Sequence, residues 1–116
     1  MALVESNKDN CKEKFMALRD AIDVLGGKWK IYILQNLSFG TMRFKDLQER
    51  VCGITPKVLS KELRELEENL LITRTVNDTK PITVSYTLTS YAMETKVVIA
   101  ALMDFGLIHR KKIKEK

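Results

Sequence analysis

Apolar positions recur along the first half of the chain in steps of three and four. Phe15, Leu18, Ile22 and Leu25 keep that spacing, which predicts an amphipathic helix over about 11–25. Gly26-Gly27 ends it, because glycine tolerates the left-handed conformation that closes helices. Trp29, Ile33, Leu34 and Leu37 predict a second helix over about 28–37, broken by Ser38-Phe39-Gly40. Phe44, Leu47 and Val51 predict a third over about 43–51. A tight turn at Cys52-Gly53-Ile54 leads into a helix over about 55–69 with clear start signals. Thr55 offers its hydroxyl to an otherwise unpaired backbone N–H, and Pro56 takes the first helical position, where its missing N–H costs nothing. Ile54 and Leu59 have the spacing of a hydrophobic staple. Leu59, Leu63, Leu66 and Leu70 form the core stripe of that helix.

The period then shortens to two. Ile72, Arg74 and Val76 alternate with Thr73 and Thr75. After a polar turn over 77–81, Ile82, Val84, Tyr86 and Leu88 alternate with Thr83, Ser85 and Thr87. Alternation rich in β-branched residues predicts a hairpin over about 71–88. Thr89 or Ser90 then caps a long helix over about 90–109. Residues 1–10 are polar and expected to fray, 111–116 form a basic tail, and 11–110 read as one undivided domain. The expected class is α+β and mostly helical.

Two short helices joined by a glycine turn and followed by a hairpin have the layout of a winged helix-turn-helix. In that motif the second helix of the pair enters the major groove of double-stranded DNA. Lys57, Lys61 and Arg64 lie in steps of four and three on a face away from the leucines, with Ser60 beside them. Lysine and arginine neutralise phosphates, and arginine also pairs with guanine edges. The competing reading is a solvated face paired with Glu62, Glu65, Glu67 and Glu68. The position between a helix-turn and a wing favours DNA contact. The helix N-terminus at Thr55 and Pro56 is a further phosphate site. Lys80 at the hairpin tip and Arg74 on its strand are candidates for phosphate or minor-groove contact. Packing of the Arg74 stem along the sheet is an equal alternative. Lys28 and Arg43, which begin flanking helices, are candidate phosphate clamps, although either alone is more often just a surface charge.

Composition narrows the classes further. The 116 residues are 45% apolar and 30% charged, a globular balance, and the net charge of +5 suits a polyanionic partner. No apolar run approaches the roughly 20 residues of a membrane helix. Cys11 and Cys52 lack metal-ligand spacing, and His109 is the one histidine. Neither a glycine-rich phosphate loop nor a nucleophile motif is present. The expectation is a cytoplasmic protein in a reducing compartment, without membrane contact, cofactor, metal or enzymatic activity.

The terminal helices carry more apolar residues than one domain can cover. Phe15, Leu18 and Ile22 on the first, with Val98, Leu102, Phe105 and Ile108 on the last, are the expected homodimer interface. The alternative is a last helix wedged into the core of a single chain.

GGKWK at 26–30, RFKDL at 43–47, ITPKVLSKELRELEEN at 54–69, and Pro81 followed by VSYTLT at 84–89 together resemble the HxlR family of bacterial winged-helix regulators. The resemblance runs from Cys11 into the last helix. It implies a dimeric transcription factor that dimerises through its terminal helices. It also implies a sensing role for a cysteine before the first helix, matched here by Cys11 with Lys12 and Lys14 beside it. An unreactive thiol is the equal alternative. Cys52 is expected to be a packing residue, and a disulfide from Cys11 to the other subunit's Cys52 stays open. The chain departs from the family's usual glycine at Leu70, where Asn69 is expected to take the left-handed stop, and also at Ser85 and Ala92. The expected function is therefore a sequence-specific DNA-binding regulator, a dimeric repressor reading a two-part operator, redox-responsive through Cys11. The rivals are a winged-helix protein-interaction module and a regulator switched by a small ligand.

Overall fold

The structure, a computed structural model, describes residues 8–115. Helix α1 spans Lys8–Leu25 and α2 Lys30–Leu37. A two-residue strand β1, Met42–Arg43, runs into α3, Phe44–Arg50. Helix α4 spans Pro56–Glu68, β2 Ile72–Asn77 and β3 Thr83–Leu88. A 3-10 turn over Tyr91–Glu94 leads into α5, Thr95–Lys114.

The mostly helical class with a winged hairpin holds, and the elements differ from expectation mainly at their ends. The fraying expected over 1–10 falls partly on residues 1–7, outside the described residues. Lys8, Asp9 and Asn10 are already helical, and none is a glycine or proline that would stop the helix. The last helix starts later than expected. Thr89 accepts the N–H of Ala92 on its hydroxyl at 3.1 Å and caps a tighter turn first. The helix then continues through the expected basic tail to Lys114, where cationic side chains suit the negative end of the helix dipole.

The sheet is antiparallel in the order β1-β3-β2. Met42 and Arg74 lie opposite Tyr86 from the two sides, while Arg43 and Thr75 lie opposite Ser85. Partners across a ladder share a face. The Tyr86 row therefore faces the helices, and the Ser85 row, with its threonine neighbours, faces outward. The core gathers where this inner face meets α2, α3 and α4: Ile33, Leu34, Leu47, Leu59, Leu63, Leu66 and Leu71 are all fully buried. Each such side chain contributes about 1.5–3 kcal/mol through burial.

The core stripe of α4 ends at Leu66 and not, as expected, at Leu70. Leu70 is exposed, and Leu71 takes the core position instead. Nor does Asn69 adopt the left-handed conformation: its φ is −92° and its amide caps the Glu65 carbonyl at 3.0 Å. Leu70 itself turns the chain, with φ at +66°. The Leu71 N–H then reaches the Leu66 carbonyl at 3.0 Å, and the Leu70 N–H the Glu67 carbonyl at 3.0 Å. This double closure is the Schellman pattern, with leucine where glycine is usual.

Candidate nucleic-acid interface

Helix α4 is positioned by signals within a few residues of its start. The Thr55 hydroxyl accepts the N–H of Val58 at 3.2 Å, and Pro56 opens the first turn. Ile54 and Leu59 are both buried, as a staple requires. Gly53, at a φ of +89°, makes the turn between α3 and α4. With Leu59, Leu63 and Leu66 locked in the core, the opposite face is fixed outward. Lys57, Ser60, Lys61 and Arg64 are all exposed on it.

The cations on this face are not equivalent. Lys57 and Arg64 have no carboxylate partner among the described residues. The Lys61 ammonium stands 3.6 Å from Glu62 and 3.5 Å from Glu65, so the expected pairing with helix glutamates applies to Lys61. Arg74 is exposed on the helix-facing side of the sheet, where it lines one shallow cleft with Tyr86, Ser60, Arg64 and Glu67. Of the α4 cations, Arg64 is the one that shares this cleft. Lys80 is exposed in the hairpin turn. Arg43 is exposed and closes β1, and its N–H donates to Asp46 at 3.1 Å, which caps α3. Lys28 lies two residues before α2 rather than in its first turn, and its ammonium rests 4.8 Å over the Trp29 ring.

Sequence reasoning missed the charges beneath α4. Lys30 is buried between α2 and α4 and donates to Glu62 at 3.0 Å and Glu65 at 2.6 Å. Burial alone would lower the Lys30 pKa, but bonding to Glu65 and Glu62 outweighs it and raises the pKa above the usual 10.5. The Glu65 carboxyl is held below its ordinary 4.5, chiefly by the bond from Lys30. A signal was available: Lys30 precedes Ile33, Leu34 and Leu37 at core spacing, and Glu62 falls between Leu59 and Leu66. A charge within a buried stripe calls for a buried partner.

Away from α4, Cys11 is exposed on α1. Cys52 is exposed too and is not a packing residue: its neighbours Val51 and Ile54 take the core positions of the turn. Phe15, Leu18, Ile22, Val98, Leu102, Phe105 and Ile108 are all exposed on a single chain, and Ile99 is the one buried side chain of α5. The last helix is therefore not wedged into the core. Among the described residues no cluster of His, Cys, Asp or Glu could hold a metal ion. No described helix is long and apolar enough to cross a membrane.

The family model described as HxlR-like helix-turn-helix matches residues 24–114. The HTH-type transcriptional regulator YtcD of Bacillus subtilis (strain 168) is 33% identical over 103 residues, covering 88% of this chain and 82% of its own. YodB, an HTH-type transcriptional regulator of the same organism, is 38% identical over 72 residues, 62% of this chain and 64% of its own. Among solved structures, the redox regulator HypR in its reduced form matches with a TM-score of 0.79 at 27% identity, over 86% of this chain and 99% of its own. The chain belongs to the HxlR-like helix-turn-helix family of DNA-binding transcription regulators, which are not enzymes.

Proposed function

We propose that this chain acts in the cytoplasm as a homodimer and reads a two-part operator, with α4 in the major groove and the wing along the flanking backbone. The observation that carries the reading is the outward face of α4: Lys57, Ser60, Lys61 and Arg64 are exposed, and Arg74 shares a cleft with Ser60 and Arg64. Arg64 and Arg74 have the chemistry to pair with bases, Lys57 and Lys61 the chemistry to neutralise phosphates. Lys28, Arg43, Lys80 and the α4 N-terminus at Thr55 and Pro56 are the proposed flanking phosphate contacts. The dimer is supported by the bare apolar faces of α1 and α5. Cys11 is the proposed sensing residue, supported by its exposure and by the likeness to a protein described as a redox regulator.

The test is fluorescence anisotropy with the DNA upstream of the protein's own gene, titrated with salt, with scrambled duplex as control. The triple variant Lys57→Ala, Lys61→Ala, Arg64→Ala should lose about 100-fold or more in affinity and flatten the log–log salt slope by about 3.6, since both subunits lose the two lysine contacts. Equal binding to both duplexes would sink the sequence-specific reading. In the same assay oxidant should weaken binding by the wild type and spare Cys11→Ser; equal sensitivity would remove the sensing role.

A further inference from the structure

Helix α4 has an electrostatic problem for a DNA-reading element. It carries three cations, Lys57, Lys61 and Arg64, against four carboxylates, Glu62, Glu65, Glu67 and Glu68. Two of those carboxylates lie in reach of a cation that DNA needs. Glu62 and Glu65 each present one oxygen to Lys61 and the other to Lys30. The division is unequal. Lys30 makes hydrogen bonds of 3.0 and 2.6 Å with its side chain 9% exposed, whereas Lys61 stands off at 3.6 and 3.5 Å and is 59% exposed. Charge-assisted bonds at the shorter distances are the strong ones.

We propose that Lys30 is a positioning residue for DNA binding: by holding Glu62 and Glu65 from beneath α4, it leaves Lys61 available to a DNA phosphate. Lys30 is buried under the helix and touches no DNA itself. It acts as the internal counter-ion of the two glutamates. Without it, Lys61 is the remaining cation beside them, and its ammonium closes on the carboxylates instead of on the backbone of the duplex. The proposal rests on the reading that α4 meets DNA.

Salt-titrated anisotropy separates this role from a merely structural one, because the slope counts neutralised phosphates. Lys30 and Glu62 are replaced together, K30Q/E62Q, so that no buried charge is left unpaired. In that background Glu65 holds Lys61. The log–log slope should flatten by about 1.8, one phosphate on each subunit of the dimer, and adding Lys61→Ala should change it no further. Adding Glu65→Gln, K30Q/E62Q/E65Q, should restore both the slope and its sensitivity to Lys61→Ala. If Lys61→Ala flattens the slope equally in every background, or the third substitution restores nothing, the role assigned to Lys30 is wrong. The pair Lys57→Ala, Arg64→Ala is the separate control. If it leaves affinity unchanged, α4 is not the DNA-reading helix and the underlying reading falls. If it abolishes binding while the Lys61 results fail, only Lys30's role falls.

Discussion

Leu70 pays a conformational cost at the C-terminal end of α4. An L-residue with a side chain in the left-handed region is disfavoured by roughly 1–2 kcal/mol. Its φ of +66° completes the two hydrogen bonds that close the helix, and its side chain is 68% exposed, so little packing offsets the strain. Leu70→Gly should therefore stabilise the protein by about 1 kcal/mol, after allowing for glycine's greater freedom in the unfolded chain. Urea denaturation at fixed protein concentration checks this; a lower midpoint would show that the leucine side chain contributes more than its backbone costs. The same residue marks where sequence reasoning stopped at this scale. Thr55 and Pro56 were legible because a helix start is written in adjacent residues. Leu70 was misplaced because the leucine spacing of the stripe carries on past the residue where the helix ends. The contact from Lys30 to Glu62 joins positions 32 apart, and no local pattern names the partner.

Among the elements, α1 to α4 and the wing were legible from periodicity: α2 and α4 repeat buried positions, and α1 repeats an apolar stripe that is exposed on the single chain. Strand β1 was not. Its two residues have no period of their own and form a strand only by pairing with Tyr86 and Ser85 on β3. The 3-10 turn before α5 likewise has no period: the N–H groups of Ala92 and Met93 close it on the Thr89 and Ser90 carbonyls. The joint between α2 and α4 has a pH signature. Glu65 has a folded pKa below 4.5, so the folded state binds its proton more weakly than the unfolded chain does. The stabilisation is present above that value and is lost as pH falls through the folded one. The urea midpoint of the wild type should consequently drop more steeply between about pH 5 and pH 3 than that of Glu65→Gln. Parallel curves would mean that the contact adds nothing to folding.

The whole molecule is extended for its length. Its radius of gyration is 17.5 Å and its extents are 60 × 41 × 22 Å, against about 13 Å for a compact domain of this size. The excess lies in α1 and α5, which hold their apolar residues away from the core. This was legible in outline, since the terminal helices are too apolar for one domain to cover. Sedimentation equilibrium should find a dimer for the wild type. Leu102→Glu with Phe105→Glu should give a folded monomer whose affinity for a two-part site falls at least tenfold, at about 1.4 kcal/mol per factor of ten. A monomeric wild type, or a dimer that survives both glutamates, would refute the interface.

The bare faces of α1 and α5 also bear on how a gene would register the amount of this protein. If only the paired form spans both halves of an operator, the active species at low abundance grows as the square of the chain concentration. Doubling expression then roughly quadruples the species that occupies DNA. Regulation would set in over a narrower range of protein level than one-to-one binding allows, and the width of that range would be set by the grease on two helices other than α4.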